Sequence, residues 1–336
     1  MLRDRSSTAS RMPPAQNGEA RAPGVSIRWR GALLRVFGTV VLAGLLIWFL
    51  DVGSVFSSLR DVELPLLAGA LVSMLCERFF AAYRWHVLLR VPLPELPYGP
   101  VMRVTFVSGF LGTFLPGGSI EVVRVLGLAR HTAALASSLG SVVVDRILGI
   151  GALIITAFVA DAASGSPLPE PIRWLGWASL AGTLVSWLAL TGSTMVPLLA
   201  GLLEKARIPR LASLARELFT FLANTRNRKD VIIWAIFLAF AIQLIRIATV
   251  AFAASAVGVV VPWHAYVVCV PLIIIVQLLP IGVGGLGIRE AGFVFFFGFF
   301  GVSAELAVAA SLAVFGLNIV SSIPGAYYLM AGGSKG

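Results

Sequence analysis

The chain has 336 residues, of which 58% are hydrophobic and only 12% are charged, and its formal net charge is +10. Soluble domains carry about twice that share of charged residues, so the composition excludes a soluble globular protein and predicts an all-α polytopic membrane protein. The basic residues cluster in the N-terminal part and in one loop, a pattern typical of membrane orientation. We therefore expect no nucleic-acid partner.

Residues 1–30 are rich in Arg, Pro, Ser and Ala and show no periodicity, which predicts a disordered basic tail. The apolar run at 31–50 predicts the first membrane-spanning helix. Seven arginines surround the start of this run: Arg3, Arg5, Arg11, Arg21, Arg28, Arg30 and Arg35. By the positive-inside rule, they predict a cytoplasmic N-terminus.

The second span is predicted at 64–89, and it carries three charged residues: Glu77, Arg78 and Arg84. Charged side chains at membrane depth are costly and usually face the interior of a helix bundle or an aqueous cavity. Glu77 and Arg84 are seven residues apart, which places them on one face of the helix. An equally good interpretation has Arg84 extending to the inner interface, beside Trp85.

A broken helical element is predicted at 101–130, entering the membrane from the cytoplasmic side and turning back. Three residues break it: Pro116, Gly117 and Gly118. Such a break frees backbone groups that lipid cannot satisfy, so it must be buried in protein or line a wet cavity. Glu121 and Arg124 follow at spacing i, i+3, which fits either a binding site or a structural ion pair.

The middle of the chain predicts two further spans, at 132–160 and 172–203. The first carries Asp145 and Arg146 near its centre; as neighbours they point in different directions around the helix. The loop at 204–230 holds seven basic residues against three acidic ones, the strongest cytoplasmic signal in the chain. Its amphipathic part, 211–222, fits a helix on the anionic leaflet or a solvated connector.

The second half repeats this pattern, with a span at 231–257 that carries Gln243 and Arg246 at spacing i, i+3. A second broken element follows at 264–301, and its last break residues precede the pair Arg289-Glu290. Five residues break it: Pro280, Gly282, Gly284, Gly285 and Gly287. A final span at 304–330 precedes a short cytoplasmic tail, 331–336.

These elements together predict one transmembrane domain over 31–330, with about six full spans and two re-entrant hairpins that enter from opposite sides. Hairpins of opposite orientation are what an inverted repeat produces, and in transporters such broken helices form the substrate site. We therefore expect the site between the two breaks.

Six arginines fall at membrane depth: Arg78, Arg84, Arg124, Arg146, Arg246 and Arg289. Only four acids accompany them: Glu77, Glu121, Asp145 and Glu290. Because buried charges need partners, this excess of two positive charges predicts a site for an anionic guest, and guanidinium groups bind phosphate well.

Known catalytic motifs are absent from the sequence, and its histidines and cysteines lack metal-ligand spacing, so it predicts neither an enzyme nor a metal or cofactor. It makes no prediction about oligomeric state.

Four motifs in this order form a resemblance to a known family. They are Ala-Tyr-Arg-Trp at 82–85, Leu-Pro-Gly-Gly-Ser-Ile-Glu-Val-Val-Arg at 115–124, Asp-Arg at 145–146, and the segment from Leu-Pro at 279–280 to Gly-Ile-Arg-Glu at 287–290. Over roughly 35–330 the chain resembles the flippase-like membrane family known from the transmembrane region of lysylphosphatidylglycerol synthases. One departure is Ile120, where the family commonly has glycine.

The resemblance implies movement of lipids, such as aminoacylated phosphatidylglycerol, between leaflets. We expect no synthase activity, because the aminoacyl-transferase domain of the full-length synthases is absent from this sequence. One branch of the family is associated with hopanoid metabolism, and other members accompany glycosyltransferases. An alternative is therefore a membrane scaffold whose basic loop recruits a lipid synthase or glycosyltransferase.

Overall fold

The computed structural model describes residues 52–114, 119–132, 135–165, 167–191, 209–278 and 285–333. Within these ranges 87% of the residues are helical and none forms a strand, which confirms the all-α prediction. The helices, numbered in chain order, are α1 (Val52–Arg60), α2 (Leu64–Leu89), α3 (Tyr98–Phe114), α4 (Ser119–Thr132), α5 (Leu135–Ser164), α6 (Glu170–Thr191), α7 (Pro209–Asn227), α8 (Lys229–Ala256), α9 (Trp263–Gln277), α10 (Ile288–Gly298) and α11 (Ala304–Gly333).

Several predictions fall outside the described residues. They are the tail at 1–30, the first span at 31–50, residues 192–208 (the end of the predicted span at 172–203 and the start of the basic loop) and residues 334–336. Six break residues also lie outside: Pro116, Gly117, Gly118, Pro280, Gly282 and Gly284.

Four of the described helices are long and apolar enough to cross a membrane: α2, α5, α8 and α11. They contain 26, 30, 28 and 30 residues, against the roughly 20 that a bilayer core requires. All four coincide with predicted spans, and α2 has the predicted bounds. Pro65 in its first turn costs no hydrogen bond, because the first amide groups of a helix have no partner within it. The chain is therefore a membrane protein.

Helices α2 and α8 form an antiparallel pair. The amide of Glu63, just before α2, donates to the carbonyl of Ala256 at the end of α8 (3.0 Å). Midway along both helices Arg246 forms an ion pair with Glu77. At the other end Leu88 and Val231 share one apolar cluster. The two helices thus stay in contact along their whole length.

Each half of the chain contributes a long helix, two shorter ones and another long helix, and the two halves make equivalent contacts. In the first half α3 packs against α4, and α4 against α5; in the second, α9 packs against α10, and α10 against α11. Across the halves α3 packs against α11, just as α9 packs against α5. Because α2 and α8 are antiparallel, this repeat is inverted, as the two breaks predicted.

The second break requires glycine at two of its predicted positions. Gly285 and Gly287 have positive φ angles of 75° and 82°, a conformation that side chains other than glycine rarely adopt. Gly287 caps α10, and its amide donates to the Oε2 atom of Glu290 at 2.6 Å. A carboxylate in the first turn also suits the positive end of the helix dipole.

Helix α7 occupies the amphipathic part of the predicted basic loop. Its apolar side chains Phe221 and Leu222 are buried in a cluster with residues of α2, α5 and α8. Gly140 of α5 makes room for this packing, since a Cβ atom there would lie 2.6 Å from the Phe221 ring. The apolar side of α7 therefore packs on the bundle, which neither of the two sequence interpretations anticipated.

Candidate functional site

A cavity of about 220 Å³ lies among α2, α4, α5, α8 and the end of α9. Its polar lining consists of seven side chains: Arg84, Glu121, Arg124, Asp145, Arg146, Gln243 and Arg246. We call it the arginine cavity. Glu121 and Arg124 follow the first break, whereas Ile274 and Leu278 line the cavity just before the second break. The cavity therefore lies between the two breaks.

Asp145 is the shared acceptor of two arginines. Its Oδ1 atom accepts a hydrogen bond from Arg84 Nε (2.8 Å), and its Oδ2 atom accepts one from Arg124 Nη1 (2.9 Å). The Asp145 residue is only 4% exposed, so these bonds form away from bulk water. One carboxylate between two guanidinium groups leaves a net positive charge. Arg84 is also buried, so it does not extend to the interface.

Arg124 is held on a second side by Trp85. The guanidinium carbon lies 4.1 Å from the centroid of the Trp85 ring, a cation–π contact. The indole Nε1 atom donates to Ser141 Oγ at 2.9 Å, and Ser141 donates onward to the carbonyl of Ser138. Trp85 thus holds Arg124 against its ring face, and the hydrogen bond to Ser141 of α5 fixes the orientation of that ring.

Replacing Trp85 by leucine is expected to lower the free energy of unfolding by about 3 kcal/mol, because the ring packing and the cation–π contact are both lost. Trp85→Phe keeps a ring face and should cost about 1 kcal/mol, mainly through loss of the hydrogen bond from the indole to Ser141. Thermal unfolding in detergent measures both. Trp174→Leu, at an exposed tryptophan of α6, serves as the control. Equal losses for the leucine and phenylalanine variants would contradict a role for the ring face.

Glu121 and Arg124 do not form the i, i+3 pair that their spacing suggested. Glu121 forms an ion pair with Arg146 instead, with 3.0 Å between Oε1 and Nη2. The Arg146 side chain is 48% exposed and that of Glu121 is 25% exposed, so this pair lies at the mouth of the cavity. Helix α4 is therefore joined to α5 by two ion pairs, and Asp145 and Arg146 point in different directions, as predicted.

The opposite wall comes from α8. Arg246 binds Glu77, so Glu77 pairs with α8 and not with Arg84 on its own helix face. Gln243 lies one turn before Arg246, is 2% exposed, and its Nε2 atom lacks a hydrogen-bond partner among the described residues. Two further buried atoms of the lining have none either: Arg124 Nε and Glu121 Oε2.

Arg78 belongs to a separate site, where α2 meets α3 and α11. Its Nη2 atom donates to Asn318 Oδ1 (2.8 Å) and Ser321 Oγ (2.9 Å). Gly109 of α3 allows the close approach, because a Cβ atom there would lie 2.4 Å from the Arg78 Nη1 atom. In the described part of the chain this arginine has neutral partners and no carboxylate.

The pair Arg289-Glu290 forms a closed network at the start of α10. Glu290 binds both Arg289 and the amide of Gly287, and Ser311 of α11 joins the two side chains (2.9 Å from Arg289 Nε, 3.1 Å from Glu290 Oε1). Phe315 covers the guanidinium at 4.5 Å. Neither residue of the pair lines the arginine cavity. Their contacts hold the second broken helix to α11.

The sequence profile of the lysylphosphatidylglycerol synthase TM region matches residues 35–325. The chain belongs to this family. No curated protein matches the chain. The match spans every residue that lines the arginine cavity. Membership confirms the resemblance seen in the motifs and links the protein to lipid metabolism or transport.

In this member of the lysylphosphatidylglycerol synthase TM region family, sequence reasoning did not select four polar residues of these sites: Gln243, Ser311, Asn318 and Ser321. A neutral side chain in an apolar helix carries no signal of its own. Gln243 is the exception, because its i, i+3 spacing from Arg246 puts both side chains on one face of α8. Among the residues that the structure describes, no group of three or more His, Cys, Asp or Glu side chains could hold a metal ion.

Proposed function

We propose that the protein moves a phosphate-bearing lipid between the leaflets of the bacterial inner membrane, as a flippase or scramblase. The observation that carries the proposal is an arginine-rich cavity between two helix breaks in a membrane protein of a lipid-linked family. Discontinuous helices with such cavities are typical of transport sites.

The charges of the cavity suit an anion. Its lining contains four arginines and two acids, and Glu77 behind Arg246 adds a third acid, so the cluster has a formal charge of +1. Buried charge requires a counter-charge, and guanidinium groups bind phosphate oxygens through paired hydrogen bonds. An entering phosphate group provides both. This argues against a neutral hopanoid as the main guest, since it has no anionic group.

The size of the cavity favours a small headgroup. Pockets for whole small molecules usually enclose roughly 300–1,000 Å³, whereas this one encloses about 220 Å³. A phosphate ester fits while its acyl chains stay in the surrounding lipid. An oligosaccharide linked to a lipid carrier would be too large, so a phospholipid is the better candidate.

Transport rather than catalysis is the proposed activity. The sequence lacks nucleophile, metal-binding and nucleotide-binding motifs, and the carboxylates of the cavity are bound to arginines. A gradient of the lipid itself, or of another solute, would then drive movement in one direction.

Purified protein in proteoliposomes is expected to exchange fluorescent phospholipids between leaflets, and Arg124→Gln should slow this exchange at least about 10-fold. The variant loses a charge-assisted contact of the kind worth roughly 1.5–3 kcal/mol. Arg103→Gln is the matched control, because Arg103 lies over Tyr328 on α3 and α11, outside the cavity. Unchanged exchange by Arg124→Gln would remove the cavity from the mechanism.

The scaffold alternative receives one structural constraint. Phe221 and Leu222 belong to the segment of α7 that would have docked a partner enzyme, but they are packed into the bundle and so are not available for docking. Proteoliposomes that exchange no lipid, together with a lipid synthase or glycosyltransferase recovered by cross-linking to α7, would favour the scaffold.

A further inference from the structure

Another cavity, of about 370 Å³, lies where the end of α2, the loop that follows it and the start of α8 meet. We call it the interfacial groove. Its polar lining consists of five side chains: Tyr83, Arg90, Arg228, Asp230 and Trp234. No described residue lines both this groove and the arginine cavity. The groove is therefore a separate site, outside the proposed transport path.

The groove carries a net positive charge. Arg228 donates to both carboxylate oxygens of Asp230 (3.0 and 2.9 Å), so these two charges compensate each other. Arg90 is exposed, and its guanidinium has no ion-pair or hydrogen-bond partner among the described residues. The formal charge of the three groups is thus +1. A guanidinium group with its donors available binds phosphate well, because its fork matches two phosphate oxygens.

Aromatic residues place the groove at a membrane boundary. Tyr83 lies within two turns of the end of α2, Trp234 lies in the second turn of α8, and both are exposed. Such residues are enriched at the level of lipid headgroups, because their rings are apolar and carry one polar group. About one turn deeper lies another exposed ring on each helix, Phe80 on α2 and Phe237 on α8. An apolar surface therefore leads from the groove toward the middle of the membrane.

This combination of charge and apolar surface selects the kind of ligand. A dissolved anion would contact only the charged part. A lipid would use both parts, with an anionic headgroup at Arg90 and acyl chains along Phe80 and Phe237. Basic pockets between helices at a membrane boundary are typical sites for anionic headgroups. The volume of about 370 Å³ also lies within the range of small-molecule sites, roughly 300–1,000 Å³.

The groove is preformed, because the loop that forms one of its walls is held on α2. The carbonyl oxygen of Leu96 lies 2.9 Å from His86 Nε2, and the amide of Leu93 donates to the carbonyl of Leu89 at 3.0 Å. Pro94, which lines the groove, lies between these two anchors. A preformed wall loses little conformational entropy when a ligand binds, which favours occupancy.

We propose that the interfacial groove holds the phosphate headgroup of one lipid of the adjoining leaflet, as a bound ligand that is not transported. The lipid would bridge the end of α2 and the start of α8. It would thus join this antiparallel pair at the end opposite to the hydrogen bond between Glu63 and Ala256. The proposal goes beyond the proposed function and does not depend on it, since a scaffold could retain such a lipid as well as a flippase.

The test uses the purified full-length protein in nanodiscs of a zwitterionic lipid, with phosphatidic acid that carries a photoreactive group in one acyl chain. This probe is chosen because phosphate is its whole headgroup. Peptide mass spectrometry should find the label on segment 233–237 of α8. Arg90→Gln should reduce this label about 5-fold or more, because a charge-assisted contact is lost. Arg130→Gln, at an exposed arginine of α4 that does not line the groove, is the matched control.

Two further probes separate a lipid from a free anion. A diacylglycerol with the same photoreactive chain has no phosphate, so it should not label segment 233–237 above other lipid-facing segments. Inorganic phosphate in excess should not compete, because it cannot use the apolar surface. Tyr83→Leu removes a ring and a hydroxyl group from the wall without changing any charge, and should reduce the label several-fold. It keeps the test decisive if Arg90→Gln does not fold, as judged by elution and unfolding temperature.

Label on segment 233–237 that both folded variants leave unchanged overturns the proposal. Equal labelling by the diacylglycerol, or full competition by inorganic phosphate, overturns it too. Arg124→Gln separates the groove from the transport site, since this variant should slow leaflet exchange and keep the label. Loss of the label in Arg124→Gln would contradict a ligand that is not transported. A label that is kept while exchange stays at the native rate contradicts the proposed function and supports the groove.

Discussion

Replacing Asp145 by asparagine is expected to lower the free energy of unfolding by about 3–5 kcal/mol, the usual cost of removing one partner from a buried ion pair. The carboxylate is shared by Arg84 and Arg124, so the substitution leaves two guanidinium groups in a buried place without their counter-charge. It also releases the contact that ties α2 and α4 to α5. The unfolding temperature of the purified protein in detergent measures the effect.

The control for this experiment is Asp230→Asn. Asp230 also binds an arginine, Arg228, at 2.9 Å, but both side chains are more than half exposed. Exposed pairs contribute little, so the unfolding temperature of this variant should not change measurably. Combining Asp145→Asn with Arg84→Gln should restore part of the lost stability, because one stranded charge is removed. A stable single variant, or a double variant less stable than Asp145→Asn, would contradict the shared-acceptor role.

Gly325→Ala is expected to destabilise the protein by about 3 kcal/mol, at the upper end of the usual cost of overpacking. A Cβ atom at this position of α11 would lie 2.2 Å from the carbonyl oxygen of Phe106 and 2.9 Å from the Cβ atom of Phe110, both on α3. The Phe106 carbonyl oxygen belongs to the backbone, which cannot relieve the clash by a rotamer change as a long side chain can. The helices must therefore separate to admit the methyl group.

The same helix provides the matched control, Gly316→Ala. A Cβ atom there meets no other atom within 4 Å, so alanine should be neutral or stabilising by up to about 1 kcal/mol through its higher helix propensity. Unfolding temperatures of the two variants give the comparison. If both alanine variants behave alike, α3 and α11 are not in the close contact described above.

Hydropathy and backbone chemistry explain how much of the fold could be predicted. Long apolar runs must be helices in a membrane, and prolines and glycines mark where a helix cannot continue, so the spans corresponding to α2, α5, α8 and α11 were evident. The cavity between the breaks followed from the same argument. These features depend on residues that are close together in the sequence.

The ion pairs could not be predicted, because they depend on which helix faces meet. Arg84 and Asp145 are 61 residues apart, and Arg246 and Glu77 are 169 apart. Local spacing suggested a pair between Glu121 and Arg124, but each of them pairs with a residue of α5 instead: Glu121 with Arg146, and Arg124 with Asp145. The pair Arg289-Glu290 resembles the cavity residues in sequence, yet its contacts close on themselves and on Ser311.

The two halves of the sequence do not fold as two separate packing units, because helices of one half pack on helices of the other. Helix α3 from the first half lies against α11 from the second, and α9 from the second lies against α5 from the first. In each half, the first arm of the broken hairpin (α3 or α9) packs on a long helix that belongs to the other half. We therefore expect that neither half could complete its core if it were synthesised alone, because each half supplies a packing surface that the other needs.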